Sequence, residues 1–210
     1  MQDTIKEIFT ESIQVQIAAG EVLPSALESA AFTIAQSLIN GNKLICCGTA
    51  NCHMLAQHMA GVLVNHYETE RPCLPAIALS QESINLGQST QVDDYDTFAR
   101  QVRAFAQQGD LLLALAINGN EKQIISAVEA ALTKDMKVIV MVGDDGGELV
   151  GLLGPNDVEI RTPSKRPSRI IESHLVNLHC LSELVDLTLF PQDDIDSDIE
   201  SSDESRQFPS

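Results

Sequence analysis

The chain of 210 residues is predicted to adopt an α/β fold, a three-layer α-β-α sandwich around a five-stranded parallel sheet. Short apolar segments alternate along the chain with segments whose apolar residues recur at helical spacing. The short segments are apolar on both faces, which is typical of parallel strands buried between two layers of helices. Two helical segments precede the first strand, and these are predicted to form an N-terminal helical hairpin.

The two N-terminal helices are expected within residues 4–40. In the first of them the large apolar residues recur at helical spacing: Ile5, Ile8, Phe9, Ile13 and Ile17. Pro24 suits the first turn of the second helix, and Gly41 is suited to end it. Because no strand precedes them, these helices are expected to cover a sheet edge or a partner subunit.

The remaining elements alternate between strands and helices. Strands are predicted at residues 43–47, 75–79, 110–115, 137–142 and 157–161. Helices are predicted at residues 50–66, 94–105, 121–134 and 168–189. Ligands of open parallel sheets bind beyond the carboxyl ends of the strands. The loops expected to carry a functional site are therefore 48–52, 80–93, 116–121 and 143–147.

The formal net charge of the chain is −17, and the acidic residues are unevenly distributed. Such a charge repels phosphate backbones, so direct binding of nucleic acid is not expected. Residues 191–210 hold seven acidic side chains, one arginine and few large apolar groups. This composition predicts a disordered acidic tail after a single domain at residues 1–190. The tail either adds solubility or serves as a docking arm.

Other features of the sequence bear on location and metal binding. No apolar run reaches the roughly 20 residues of a membrane span, and the N-terminus lacks the regions of a signal peptide. We therefore expect a cytoplasmic protein without membrane contact. The five cysteines are odd in number and have no CxxC spacing, so neither a disulfide framework nor a zinc finger is indicated. Cys46 and Cys47 lie on the first strand and are expected to pack in the core.

Many stretches of the chain resemble the SIS (sugar isomerase) domain, and within it the phosphoheptose isomerase-like branch. They are residues 9–14, 40–43, 56–58, 68–72, 74–79, 127–131, 145–149, 151–155, 157–161 and 188–191. The resemblance implies a five-stranded parallel sheet and homo-oligomers, usually tetramers. It is strongest to a group in this branch that binds the replication initiator DnaA and promotes timely chromosome replication.

The phosphate-binding pattern of the isomerases is only partly present. The family holds its sugar phosphate with glycines and small hydroxyl residues at the strand ends, where N–H and O–H groups surround the anion. Gly48 matches that pattern, but Cys52 replaces a serine and is a weaker hydrogen-bond donor. After the third strand, Ala116 and Ile117 replace a serine-threonine pair.

The catalytic pattern is also incomplete. Isomerisation needs a base, and the isomerases use a glutamate four residues after the histidine that matches His58. Val62 occupies that position here. Glu172 and His179 keep their places on the last helix. The resemblance thus implies a vestigial sugar-phosphate pocket without catalytic residues, cofactor or metal; its members are Gly48, Cys52, His58, Glu172 and His179.

Two functions from different classes follow from these observations. The first is a non-catalytic adaptor that regulates replication initiation by binding DnaA as a homotetramer, a dimer of dimers. Leu189 and Phe190, at the end of the last helix, are then expected to serve partner binding or assembly. The second is a sugar-phosphate isomerase or sensor with a remodelled site. In that case Lys165, Arg166 and Arg169 hold an anion, and zinc held by His58, Glu172 and His179 is a further possibility.

Overall fold

A five-stranded, wholly parallel sheet forms the centre of the computed structural model, which describes residues 1–80, 94–143 and 145–191. The strand order is β2-β1-β3-β4-β5. The strands are β1 (Leu44–Gly48), β2 (Ala76–Ala78), β3 (Leu111–Leu115), β4 (Lys137–Gly143) and β5 (Val158–Thr162). After β2 the chain crosses β1 to reach β3, so the strand order reverses between β1 and β3. That reversal is where open α/β sheets carry ligand sites.

Helices cover both faces of the sheet. They are α1 (Gln2–Val22), α2 (Pro24–Ile39), α3 (Asn51–Val64), α4 (Thr97–Phe105), α5 (Lys122–Leu132), α6 (Gly147–Val150) and α7 (Pro167–Leu189). A 3₁₀ turn at Asp94–Asp96 precedes α4. The predicted α/β sandwich with five parallel strands is therefore confirmed. The four-residue helix α6 was not predicted, because so short an element has no readable periodicity.

Alternate residues of β3 separate the core into two layers. Leu111, Leu113 and Leu115 pack with side chains of α2, α3 and α7 on one face. Leu112 and Ala114 pack with α4 and α5 on the other face. Both sets are buried, which explains why the strand is apolar throughout. Cys46 and Cys47 lie on opposite faces of β1 and are buried, as expected for core cysteines.

The predicted N-terminal helical pair is present, and its two helices meet at a bend. Leu23 alone joins α1 to α2 and keeps helical angles, φ −96° and ψ −13°. With a single linking residue the chain bends by 68° and does not reverse. No single described helix is long and apolar enough to cross a membrane, whereas α1 and α2 taken together have that length and composition.

The bend leaves the apolar face of α1 exposed. Phe9, Ile13 and Ile17 are 66%, 56% and 60% exposed, and Ala19 is the only buried residue of this helix. These three residues and Ile5 are spaced by four positions and lie along one side of the helix. We call Ile5, Phe9, Ile13 and Ile17 the α1 stripe. It is an apolar surface on α1 that the protomer leaves uncovered.

Two predicted segments fall outside the described residues. Except for Ser80, the loop expected at 80–93 lies outside them. The tail predicted at 191–210 does so as well, apart from Pro191.

Candidate functional site

The loop after β1 is tightly folded onto the first turn of α3. A side chain at Gly48 would lie 2.5 Å from the backbone oxygen of Cys52, so only glycine fits there. Cys52 is buried, and burial together with the nearby Glu121 raises the pKa of its thiol to about 12. The thiol is therefore neutral at pH 7. The structure brings Gly48 and Cys52 together, as expected for members of one loop.

The loop after β3 is occupied by a carboxylate of the chain itself. Glu121, which precedes α5, accepts hydrogen bonds through Oε1 from the backbone N–H groups of Ile117 (2.9 Å) and Asn118 (3.4 Å). Its other oxygen, Oε2, is buried and has no hydrogen-bond partner among the described residues. Backbone N–H groups at such a loop are the donors that could hold a phosphate. Here they already bind an anionic group.

The loops after β3 and β4 close against each other. Gly119 has a φ of +73°, and a side chain on it would collide with the backbone oxygen of Gly146. Asn120 accepts a hydrogen bond from the N–H of Glu148 at 3.0 Å, and Gly119 accepts one from Leu149 at 3.0 Å. The Gly119-Asn120 pair therefore forms a turn that joins two loops.

His58 and His179 form a direct pair between α3 and α7. Their Nε2 atoms are 3.1 Å apart, which requires one ring to donate and the other to accept. Burial and the neighbouring His179 lower the pKa of His58, so the neutral ring is favoured. Tyr67 packs beside His179, with ring centroids 5.4 Å apart. Val62, one turn after His58, offers no group that can carry a proton.

The other polar residues of α7 bind elsewhere. Glu172 accepts hydrogen bonds from Ser12 of α1 (2.7 Å) and from Arg169 (2.6 Å). Neither histidine of the pair is a hydrogen-bond partner of Glu172 among the described residues. His174 is buried, where its Nε2 donates to the Ala116 carbonyl at 3.0 Å. It is a core histidine with a backbone partner.

The basic residues near the start of α7 are engaged by α1. Arg169 is buried and donates to the Ile8 carbonyl at 2.8 Å as well as to Glu172. Arg166 pairs with Glu11. These contacts, with Ser12 to Glu172, fasten α1 to α7 and leave Arg166 and Arg169 committed within the protomer. Within the described ranges, no group of three or more His, Cys, Asp and Glu side chains could hold a metal ion.

Leu189 and Phe190 have different surroundings at the end of α7. Leu189 is half-buried and packs against the core that includes α2 and α7. Phe190 is half-buried and lines a surface pocket of about 330 Å³. The same pocket is lined by Tyr67, Pro72 and Leu187 and by four acidic residues: Glu68, Glu70, Glu183 and Asp186. We call it the α7 pocket.

Arg71 fixes the wall of the α7 pocket. Its side chain is 3% exposed and donates to Asp186 at 2.7 Å and to the carbonyls of Leu63 (2.9 Å) and Val62 (3.1 Å) at the end of α3. Cationic groups at helix carboxyl ends are stabilising. The roles of Arg71 and Glu121 were not predicted. The signal for Glu121 was an acidic residue directly before a helix, where its side chain can reach loop N–H groups.

Comparisons with known proteins agree with this geometry. The family model described as "SIS domain" matches residues 9–143. The DnaA initiator-associating protein DiaA of Escherichia coli O1:K1 is 52% identical over 196 residues, which cover 93% of this chain and all of that protein.

Solved structures of isomerases are also similar. A phosphoheptose isomerase from Francisella tularensis has 36% identity and a TM-score of 0.82, covering 88% of this chain and 97% of that one. The phosphoheptose isomerase of Neisseria gonorrhoeae has 31% identity and a TM-score of 0.79, covering 88% and 98%. The chain therefore belongs to the SIS domain family, in which its relatives include both DnaA initiator-associating proteins and phosphoheptose isomerases.

Proposed function

We propose that the protein is a non-catalytic regulator of chromosomal replication initiation that binds the initiator DnaA. The observation that carries the proposal is the 52% identity with DiaA, which extends over the whole length of that protein. The two isomerases are less similar in sequence, at 36% and 31%. This ordering favours the adaptor over an isomerase or sugar-phosphate sensor.

Three local features support the absence of isomerase activity. Val62 cannot act as the base that moves a proton between carbons. The N–H groups of Ile117 and Asn118 are bonded to Glu121, whose negative charge would oppose a phosphate at the same place. Arg166 and Arg169 are paired with acidic groups. We propose that the remaining members of the old pocket, Gly48, Cys52, His58, Glu172 and His179, are vestigial.

We further propose that Phe190 contacts the partner, while Leu189 packs on the core and stabilises the end of α7. Aromatic side chains are enriched among the residues that dominate protein interfaces. Phe190 faces a pocket at the surface, whereas Leu189 packs on the core. The two residues therefore receive different roles, anchor and support.

The assembly proposed for this adaptor is a cytoplasmic homotetramer, built as a dimer of dimers, in which residues 1–190 form one domain. Its support is the α1 stripe, an apolar surface that a second copy would bury. The last helix gives weaker support. It carries four apolar residues at helical spacing, but Leu178, Leu181 and Val185 are fully buried within the protomer, and only Leu175 of the four is exposed.

Two measurements on the full chain test the proposed function. Purified DnaA is titrated against the chain by biolayer interferometry, and sedoheptulose 7-phosphate turnover is followed in a coupled isomerase assay. Saturable DnaA binding with turnover at the level of the blank supports the adaptor. Turnover comparable to that of a phosphoheptose isomerase, with no DnaA binding, would replace it by the isomerase alternative.

A further inference from the structure

The α7 pocket combines an apolar floor with an acidic rim. Tyr67, Pro72, Leu187 and Phe190 supply the apolar surface, and Leu187 is 52% exposed. Four carboxylates surround it, against the single guanidinium of Arg71. The volume of about 330 Å³ is near the lower end of the range for pockets that hold small ligands, about 300–1,000 Å³. It suits one or two side chains better than a large ligand.

The guanidinium of Arg71, the cationic group among the residues that line this pocket, already has partners within the protomer. The guanidinium of Arg71 binds Asp186 and the carbonyls at the end of α3, so it compensates Asp186 and little else. Glu68, Glu70 and Glu183 are exposed, and no described residue forms an ion pair with them. The pocket thus presents uncompensated negative charge beside exposed apolar surface.

Two of these carboxylates act on the same aromatic ring. Partial burial and the charges of Glu68 and Glu183 raise the pKa of Tyr67. Glu68 follows Tyr67 in the chain, whereas Glu183 comes from α7, so acids from two parts of the chain line the pocket together with the tyrosine. A cation placed there would meet two carboxylates and an aromatic ring, a combination that favours lysine and arginine side chains.

We propose that the α7 pocket receives a lysine or arginine side chain from a basic, partly apolar segment of the partner protein. The alkyl stem of that side chain lies against Leu187 and Phe190, and its charged head lies at Glu68 and Glu183. The inference rests on the proposed function, because it specifies the chemistry by which the surface at Phe190 recognises its partner.

Two other occupants of the pocket can be considered, the C-terminal residues of the chain itself and a second copy of the chain, and the charge of each argues against it. The chain's own residues 192–210 follow Phe190 and Pro191 in the sequence, but they carry seven acidic side chains and one arginine and would be repelled. A second copy of the chain has a formal charge of −17, which opposes its approach to an acidic pocket. A basic partner segment is instead attracted by the acidic pocket and by the net negative charge of the chain.

A pair of neutralised variants tests the inference. Glu68→Gln/Glu183→Gln removes the two charges at the pocket, and Glu28→Gln/Glu129→Gln removes two from exposed positions on α2 and α5. The association rate with DnaA is measured at low and high salt. We expect the pocket variant to associate roughly tenfold more slowly at low salt and to lose much of its salt dependence. Rates and salt dependence equal to those of the control variant would overturn the inference.

A second measurement separates this inference from the proposed function. The chain has no tryptophan, so Tyr67→Trp places a unique fluorescent reporter in the pocket. It is titrated with a capped Leu-Lys-Leu-Lys peptide and with a capped Leu-Glu-Leu-Glu peptide, and the unmodified chain is titrated with both by calorimetry. A saturable response to the basic peptide alone supports the inference even if DnaA does not bind. No response, or equal responses to both peptides, refutes it even if DnaA binds.

Discussion

Truncation of Phe190 distinguishes partner binding from core packing. A role in partner binding predicts weaker DnaA binding by a folded chain, whereas a role in the core predicts unfolding. Phe190 is half-buried and lines the α7 pocket, so its truncation leaves the core intact. We expect Phe190→Ala to remain folded and to lose about 2 kcal/mol of binding free energy, or roughly 30-fold in affinity for DnaA. Titration by biolayer interferometry measures this, with circular dichroism and light scattering as checks of fold and assembly.

The matched control for Phe190 is Phe105, an exposed phenylalanine at the end of another helix. Phe105 ends α4 on the opposite face of the sheet, so Phe105→Ala should bind DnaA with unchanged affinity. Equal affinities of the two variants would remove Phe190 from the interface. Unfolding of the Phe190 variant would assign the ring to the core.

His174 should make the protein less stable in mild acid. Burial lowers its pKa from 6.5 to about 4, against the opposing effect of its hydrogen bond to Ala116. Above pH 6.5 the ring is neutral in both states, and the full stability is present. Between pH 6.5 and 4 the unfolded chain takes up the proton first, so the free energy of unfolding falls by about 3 kcal/mol.

Urea denaturation at fixed protein concentration, from pH 7 to pH 4, measures this effect. His174→Gln lacks the titrating imidazole, so its free energy of unfolding is not lowered in this way at low pH. The difference in the free energy of unfolding between wild type and variant should therefore narrow by about 3 kcal/mol between pH 7 and pH 4. His66, which is exposed, supplies the control variant His66→Gln. A stability difference that does not change with pH for His174→Gln would contradict the assignment.

The loop from β3 to α5 binds the carboxylate of Glu121, and a substitution of Glu121 should free the N–H donors of this loop. Glu121→Ala removes the acceptor for the N–H groups of Ile117 and Asn118, which should cost about 1 kcal/mol. Inorganic phosphate should then bind the vacated donors and raise the melting temperature of this variant. The exposed Glu129 of α5 supplies the control, Glu129→Ala, whose melting temperature should respond to phosphate like that of wild type. Equal responses of the two variants would refute a filled anion site.

The sequence predicted the strands and helices whose apolar residues recur at regular spacing. It did not predict features whose geometry depends on a single residue or contact. The five strands were found because β3 and β4 are apolar on both faces, and β2 is shorter than predicted because only Ala76–Ala78 pairs with β1. The shape of the N-terminal pair depends on Leu23 alone, which no pattern identifies. Glu121 was missed because the family pattern directed attention to lost hydroxyl groups. Its carboxylate accepts hydrogen bonds from the N–H groups of Ile117 and Asn118, a contact that is visible only in three dimensions.

Removal of the acidic tail should leave the fold unchanged. Residues 192–210 contain one phenylalanine and two isoleucines among mostly polar side chains, so they can bury little apolar surface. A chain ending at Pro191 should keep the melting temperature and the number of subunits of the full chain. Differential scanning calorimetry and light scattering measure the two quantities. A large drop in either would show that the tail belongs to the packed domain.

The assembled protein should be a homotetramer whose formation buries the α1 stripe. Four large apolar side chains along one side of a helix stay exposed in the protomer, although α1 is fastened to α7 through Arg169 and Glu172. A fixed helix with an uncovered apolar face is best explained by closed symmetry between copies.

Ile13→Glu places a charge at the middle of the stripe and should reduce the assembly to dimers or monomers, because burial of an unpaired charge costs several kcal/mol. Phe105→Glu, an equal change on an exposed residue of α4, should leave the mass unchanged. Multi-angle light scattering at micromolar concentration gives the masses, and a monomeric wild-type chain would refute the tetramer outright. A tetrameric Ile13→Glu variant would place the subunit contact on another surface.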